Sequence, residues 1–156
     1  MQNPARSFAA PRLAAGALFA DAGRVFLVHK TYGNGWDIPG GYVDQGDSPA
    51  DACEREIREE LALERTVRRL LAHDWAPSDA EGDKILYVFD CGDLGDDEHR
   101  IRLNPAEIDK TEWVAIGEVA RFVIPRLARR LASAFQARLA GTFMYLEHGE
   151  PQARIT

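Results

Sequence analysis

Three glutamates, Glu56, Glu59 and Glu60, are spaced so that one helix could bring their carboxylates together. Successive residues of an α-helix are about 100° apart, so the three side chains share an arc of about 100°. Arg55 and Arg58 point elsewhere on such a helix, so the negative charge of this face is undercompensated. Hard oxygen ligands gathered in this way suit Mg²⁺ or Mn²⁺. The alternative is a solvated acidic face without a function, which the helical geometry taken alone favours.

The residues before these acids predict where the helix begins. Ser48 is a good N-cap because its hydroxyl can accept a hydrogen bond from a free backbone N–H of the first turn. Pro49 suits the first helical position, and Asp51 lies beside the positive end of the helix dipole. We therefore predict a helix that Ser48 caps and that runs to about Leu61.

A longer pattern surrounds the acids. It runs from Gly41 to Leu63 and resembles the signature of the Nudix family, G-x5-E-x7-R-E-U-x-E-E-x-G-U, where U is a bulky aliphatic residue. The matching positions are Gly41, Arg55, Glu56, Ile57, Glu59, Glu60 and Leu63. The preceding segment Trp36-Asp37-Ile38-Pro39-Gly40 resembles the usual lead-in to that signature. Because these positions all match in one register, the chain is identified by resemblance as a Nudix member, and the acidic face as functional.

Two positions depart from the signature. Asp47 stands where the family has Glu, and because it is one methylene shorter, its contact with a metal shell is direct, water-mediated or lost. Ala62 stands where the family has a Gly that usually ends the catalytic helix. A left-handed Ala there either costs about 1 kcal/mol or makes the helix end differently. We expect Ala62 to affect helix termination more than chemistry.

The resemblance implies a fold of the α+β class, namely a Nudix-type α/β/α sandwich with a mixed β-sheet. Residues 1–156 are expected to form a single Nudix domain. Within it, residues 1–11 are expected to be a flexible arm and residues 142–156 a C-terminal extension.

Hydrophobic periodicity predicts the elements around the acidic helix. The predicted strands are 13–19, 24–29, 66–75, 84–91 and 111–115. The first two are expected to pair as a hairpin across a turn at 21–23, and the Gly- and Pro-rich residues 31–47 to form a loop. Pro125 opens a second helix that runs to Ala140, with Gly141 just after its end.

The activity that the resemblance implies is hydrolysis of a pyrophosphate bond in a nucleoside diphosphate linked to another moiety. The implied cofactor is Mg²⁺, for which Mn²⁺ can substitute. By position, the implied metal ligands are Glu56, Glu59, Glu60 and the backbone carbonyl of Gly41. One of the glutamates would also hold or deprotonate the attacking water. Arg55 would pair with these acids and fix their rotamers.

Many Nudix relatives supply a further acid from a downstream loop. Glu107 is the first candidate because it lies on a polar segment shortly before Trp113, and Glu112 is the second. Either residue could instead be an ordinary surface acid.

Candidate substrate contacts lie around the lead-in segment. His29 and Lys30 end a predicted strand and could meet phosphates, although a surface lysine is equally consistent with the pattern. Tyr32 and Trp36 could stack on a base, although Trp36 could instead close the core under the loop. Oxidised nucleoside triphosphates, ADP-ribose and nucleotide sugars all stay open as substrates.

Composition limits the partners of this 156-residue chain. A net charge of −6 argues against a nucleic-acid polymer as partner, but a divalent cation can bridge an acidic site to a small nucleotide substrate. Cys53 and Cys91 form no metal motif and indicate free thiols in a cytoplasmic protein. No apolar run approaches the roughly 18 residues of a membrane span.

Two further possibilities concern assembly and activity. The apolar segment Thr142 to Leu146 is expected to dock somewhere, which makes a homodimer possible. The alternative to the hydrolase is a catalytically weak Nudix module that binds a nucleotide ligand as a sensor. Retention of Arg55, Glu56, Glu59 and Glu60 favours the enzyme.

Overall fold

The computed structural model describes residues 6–33 and 35–153, and within them the chain forms ten strands and two α-helices. The strands are β1 (Arg12–Leu18), β2 (Ala20–Asp21), β3 (Arg24–Lys30), β4 (Trp36–Asp37), β5 (Gly40–Tyr42), β6 (Arg69–Trp75), β7 (Lys84–Asp90), β8 (Ile108–Ala115), β9 (Met144–Glu147) and β10 (Glu150–Pro151). The helices are α1 (Pro49–Leu61) and α2 (Pro125–Ala140), and 3-10 turns occupy Gly95–Arg100 and Ile116–Arg121.

The strands form two sheets. The six-stranded sheet has the order β10-β9-β6-β7-β1-β5 and is mixed, because β1 runs parallel to β7 and antiparallel to β5. The four-stranded sheet is built on β3, which pairs antiparallel with β2, β4 and β8. The predicted hairpin between residues 13–19 and 24–29 is therefore present only next to its turn, and the pairing expected for residues 13–18 is wrong. The chain changes sheets near Phe19, so β1 takes β5 and β7 as partners, while Ala20–Asp21 pairs with β3 and the Phe26 N–H donates to the Phe19 carbonyl.

The two helices pack on opposite faces of the sheets. Neighbouring residues of one strand face different layers, as Val88 packs on the α2 side and Phe89 on the α1 side. The α1 layer includes Ala15, Ala17, Phe19, Phe26, Cys53, Ile57 and Leu61, and the α2 layer includes Leu71, Leu127, Leu131, Phe135 and Leu146. Full burial of each large aliphatic side chain contributes about 1.5–3 kcal/mol, so these contacts hold α1 firmly in place. The predicted α/β/α sandwich is confirmed.

Both termini of the domain can be compared with the expectations. Residues 6–11 carry no helix or strand, and the remainder of the expected flexible arm lies outside the described residues. Residues 144–147, by contrast, form β9 beside β6 in this chain's own sheet, with Leu146 fully buried. The apolar segment therefore docks within the domain. Neither helix in the described part of the chain has the length and apolarity to span a bilayer.

Helix α1 begins and ends as its sequence predicts. The Ser48 hydroxyl accepts a hydrogen bond from the backbone N–H of Asp51 at 3.0 Å, and Pro49 opens the first turn. Ala62 ends the helix in the left-handed conformation (φ 59°, ψ 34°), and its N–H donates to the carbonyl of Arg58. The helix thus keeps the usual glycine geometry with an alanine in place, which is a strained choice for an L-residue.

We predict that Ala62→Gly stabilises the protein by about 1 kcal/mol, because glycine adopts φ > 0 without the Cβ penalty. Urea denaturation measures the change. The matched control is Ala132→Gly at an exposed position inside α2, where the same substitution should cost about 1 kcal/mol. Destabilisation by Ala62→Gly as large as that of the control would contradict this account of the helix end.

Candidate metal and active site

Three carboxylates come together beside helix α1. Glu56 and Glu60 lie on α1 and Glu107 lies on the segment before β8, and one oxygen from each lies within 4.8 Å of the others. Within residues 6–33 and 35–153, this is the one cluster of acids or metal-binding side chains close enough to hold an ion. Like charges this close repel strongly in a partly buried place, so the cluster requires positive charge nearby.

Backbone hydrogen bonds hold Glu107 over the helix. The N–H groups of Arg102 and Asn104 donate to the carbonyls of Leu61 and Glu60, which ties this segment to the end of α1. The carbonyl of Glu107 accepts a hydrogen bond from the N–H of Thr31 at 2.9 Å. The first candidate for a downstream acid therefore joins the site, whereas Glu112 lies exposed on β8 and is not part of the cluster.

Lys30 supplies the positive charge closest to Glu60. Its ammonium donates to a carboxylate oxygen of Glu60. It also donates to the backbone carbonyl of Gly40 at 3.0 Å. The other oxygen of Glu60 accepts the Gly40 N–H at 2.7 Å. Burial raises the pKa of Glu60 to about 7 despite these partners. Burial also disfavours the charged lysine, but Glu60 and Asp37 outweigh that effect and raise the pKa of Lys30.

Glu56 occupies space that only a glycine leaves open. A Cβ on Gly41 would lie 2.6 Å from an oxygen of the Glu56 carboxylate, closer than any real contact allows. Burial raises the pKa of Glu56, although Arg55 beside it acts in the opposite direction. The backbone carbonyl found at the Lys30 ammonium belongs to Gly40, one residue before the carbonyl that the resemblance implies. The role of the Gly41 carbonyl stays a prediction.

Arg55 lies among acids, contrary to the helical-wheel expectation that it points elsewhere. Its guanidinium donates to Glu56 at 3.1 Å and to Glu59 and Asp47 at 3.3 Å. The long side chain folds back along α1, which a wheel of Cα directions does not represent, whereas Arg58 does turn away to Glu64. Glu59 is 44% exposed and, like Asp47, lies beside this guanidinium and outside the three-acid cluster.

A cavity of about 580 Å³ opens beside the acids. Lys30, Tyr32, Glu56 and Glu107 are part of its wall, so two of the four predicted substrate contacts reach it. Tyr32 is 60% exposed and free to meet a ligand.

His29 and Trp36, the other two predicted contacts, are not among the described residues that line this cavity. His29 pairs with Asp109 through a 2.7 Å contact, and its ring meets the Trp36 ring edge-on. Trp36 also meets the ring of Phe122 edge-on and packs against the α2 layer. Trp36 thus closes the core under the lead-in segment, which was the alternative interpretation.

Two polar residues of the cavity wall were missed by the sequence analysis. Burial raises the pKa of Asp37, whose carboxylate accepts the Ile38 N–H at 2.7 Å. Arg130 of α2 donates to Asp74 at 2.6 Å, and Asp74 in turn accepts the N–H of Gly149. Asp37 was visible only as part of the lead-in, while Arg130 and Asp74 are 56 positions apart and carry no local signal.

The donor set fits a hard divalent cation. Mg²⁺ prefers carboxylate and carbonyl oxygens, and the cluster offers Glu56, Glu60 and Glu107 with the Gly40 carbonyl beside them. The Lys30 ammonium is a stand-in cation at this position, since it already uses a Glu60 oxygen and that carbonyl. The acidic cluster can therefore hold a metal ion next to the cavity.

The NUDIX domain model matches residues 10–136, which is most of the chain and includes the whole site. The chain belongs to the Nudix family. Its enzyme class is that of the Nudix hydrolases, which act on phosphoric anhydrides. The acidic helix predicted from the signature is thus the helix that carries Glu56 and Glu60, two of the three clustered acids.

Individual Nudix relatives resemble the chain over most of its length. An RNA pyrophosphohydrolase of Azorhizobium caulinodans is 33% identical over 148 residues, which cover 77% of this chain and 88% of the relative. The structure of a UDP-X diphosphatase superposes with a TM-score of 0.67 at 21% identity, covering 90% of this chain and 69% of that one. The structure of an ADP-ribose pyrophosphatase from Streptococcus suis 89-1591 superposes with a TM-score of 0.64 at 20% identity, covering 88% of this chain and 99% of that one. These two structural likenesses concern the fold.

We predict that Gly41→Ala weakens Mn²⁺ binding about tenfold or more while the fold stays intact. The new methyl group displaces the Glu56 carboxylate, a flexible group that can move without unfolding the helix. Electron paramagnetic resonance of free Mn²⁺ measures the affinity. The control is Gly117→Ala, because a Cβ at Gly117 meets nothing within 4 Å. Unchanged Mn²⁺ affinity in Gly41→Ala would show that the Glu56 position does not matter to the metal.

A second prediction concerns the stability of the metal-free protein in EDTA. Native Glu60 keeps its proton to about pH 7, whereas the unfolded side chain loses it near 4.5. Raising the pH through this window therefore deprotonates the unfolded state first and favours unfolding. The wild type should lose stability relative to Glu60→Gln by up to roughly 1.4 kcal/mol per pH unit. Urea denaturation from pH 4.5 to pH 7 measures this, and a constant difference would refute the raised pKa.

Proposed function

We propose that the chain hydrolyses a pyrophosphate bond of a nucleotide substrate in a reaction that requires Mg²⁺. The observation that supports this most is the convergence of Glu56, Glu60 and Glu107 beside a cavity large enough for a nucleotide. Ligand pockets of about 300–1,000 Å³ are usual for small molecules, and this cavity falls within that range. An acidic cluster attracts a phosphate only through a bound cation.

The three clustered acids are proposed to hold the metal. When bound, Mg²⁺ neutralises phosphate oxygens and lowers the pKa of a coordinated water. The Gly40 N–H fixes the carboxylate of Glu60, and the hydrogen bond from Thr31 to the Glu107 carbonyl fixes the backbone that carries Glu107, so both positions are set before substrate arrives. Preorganised ligands of this kind reduce the reorganisation needed in the transition state.

Glu56 is the acid we propose to orient the attacking water and accept its proton. It lines the cavity, whereas Glu60 is fully buried behind it. Arg55 donates to Glu56 and Glu59 and is proposed as a positioning residue that keeps Glu56 in one rotamer. Glu59, which is 44% exposed, would act from the rim, through water or by binding a further cation.

The substrate is proposed to place its phosphates beside Lys30 and its nucleoside along the cavity wall. Lys30 offers three donors to phosphate oxygens, and the exposed ring of Tyr32 can stack on a base. His29 and Trp36 were also candidates. His29 contacts Asp109 and Trp36 packs in the core, so we do not assign either residue a contact with substrate.

The named activities of the relatives and the net charge of the chain limit the substrate class. The relatives described above are named for RNA, UDP-X and ADP-ribose. UDP-X and ADP-ribose contain a phosphoric anhydride, and RNA contains one only where its 5′ end carries a di- or triphosphate. The net charge of −6 favours a small nucleotide over an RNA chain, because the acidic surface repels a polyanion. The rival proposal is a sensor that binds a nucleotide without turnover, and the arrangement of the three acids beside the cavity favours hydrolysis.

A substrate panel with Mg²⁺ tests the proposal. It includes nucleoside triphosphates, ADP-ribose, UDP-sugars and an RNA oligonucleotide with a 5′ triphosphate. Products are separated by chromatography, and H₂¹⁸O identifies the phosphorus attacked. We expect turnover of at least one small nucleotide and none in EDTA. Binding without turnover of any member would support the sensor, while turnover in EDTA would refute the metal mechanism.

We predict that Glu56→Gln and Glu60→Gln each lower kcat/KM at least about a hundredfold, because each removes a carboxylate that the reaction uses. The matched control is Glu64→Gln, just beyond α1, whose exposed carboxylate pairs with Arg58 far from the cluster. The control should keep its activity. Full activity in Glu60→Gln, with Mg²⁺ still required, would defeat the ligand assignment.

A further inference from the structure

Lys30 contacts a carboxylate that belongs to the three-acid cluster. Its ammonium lies on an oxygen of Glu60 and on the carbonyl of Gly40, and its side chain is only 12% exposed. Glu60 is the buried member of the acid cluster, with 1% of its side chain exposed. A buried carboxylate without a cation would be strongly unfavourable, so this ammonium stabilises the site when no metal is present.

We propose that Lys30 is a resident counter-cation that leaves Glu60 when a divalent cation binds, and that its released ammonium then turns to the phosphates in the cavity. This inference rests on the proposed function, since it takes Glu60 as a metal ligand. It gives Lys30 two successive roles: its ammonium first neutralises the Glu60 carboxylate and then binds substrate.

Competition between the two cations follows from the Glu60 carboxylate, which the Lys30 ammonium contacts and which is a member of the acid cluster. A metal bound by Glu56, Glu60 and Glu107 lies within bonding distance of the Glu60 carboxylate that the ammonium contacts. Two positive charges about 4 Å apart in a partly buried site repel strongly enough to change an affinity at least about tenfold. Lys30 must therefore move aside, or the metal binds more weakly.

The cavity provides space into which the Lys30 side chain can rotate. Lys30 ends β3, so its backbone is fixed while its four-carbon side chain can rotate. It lines the cavity together with Asp37 and Tyr32. An ammonium that leaves Glu60 and turns into the cavity faces phosphate oxygens when substrate is present. Metal binding thus prepares the phosphate subsite.

The chain contains three lysines, Lys30, Lys84 and Lys110, which makes a direct test possible. Wild-type protein is labelled briefly with acetic anhydride in EDTA, in Mg²⁺ and in Ca²⁺, without nucleotide, and each lysine is quantified by peptide mass spectrometry. Lys30 should be protected in EDTA and labelled severalfold faster in Mg²⁺. Lys84, which pairs with Glu81, and the exposed Lys110 serve as internal references whose labelling should not change.

Mn²⁺ affinity of Lys30→Met provides the second measurement. Removal of the competing ammonium should tighten Mn²⁺ binding at least about tenfold, and the metal-free variant should unfold at a lower temperature than wild type. Lys84→Met removes the same charge from the cavity wall without touching Glu60, and its Mn²⁺ affinity should change much less.

The outcomes separate this inference from the proposed function. If Mn²⁺ binds the wild type while Lys30 labelling is the same with and without metal, the counter-cation role is wrong and the metal site stands. Unchanged or weaker Mn²⁺ binding by Lys30→Met would overturn it as well. If neither protein binds Mn²⁺, the proposed metal dependence fails together with this inference.

Discussion

Electrostatic repulsion among Glu56, Glu60 and Glu107 is the constraint on which the rest of the site depends. Three carboxylates with oxygens within 4.8 Å of one another, one of them fully buried, cannot all be charged without a cation among them. The protein meets this need with the Lys30 ammonium on one side and the Arg55 guanidinium on the other. An arrangement that is costly for folding is well suited to binding a divalent cation, which would bring more charge to the same place.

The fold contributes rigidity to that arrangement. Helix α1 is held by Ile57 and Leu61, which are fully buried against the sheet layer, so its acidic face cannot turn away from the cavity. The Gly41 backbone approaches α1 closely because it lacks a Cβ, and the Glu107 segment is fastened to the last turn of the helix. The packing of α1, the close approach of Gly41 and the attachment of the Glu107 segment therefore all act on one helix, and a change in any of these contacts would move the acids.

The sequence predicted the parts of this site whose information is local. The cap at Ser48 and the end of α1 at Ala62 lie within one short segment, and the structure agrees with both. Of the three helical acids, the structure brings Glu56 and Glu60 into the cluster and leaves Glu59 outside it. The pairing expected for residues 13–18 with 24–29 was wrong because alternation identifies a strand but not its partner. Contacts that join distant segments, such as Lys30 with Glu60 or Arg130 with Asp74, leave no periodic trace. They could be found only when the fold brought the residues together.

The most direct test of the central claim is anomalous X-ray scattering from crystals of the protein soaked in Mn²⁺. The account predicts an anomalous peak bonded to oxygens of Glu56 and Glu60, with Glu107 in its coordination shell and the Lys30 ammonium displaced from Glu60. A protein that binds Mn²⁺ only at other acids, or that shows no peak while Lys30 stays on Glu60, would contradict the claim that this cluster is the metal centre of the enzyme.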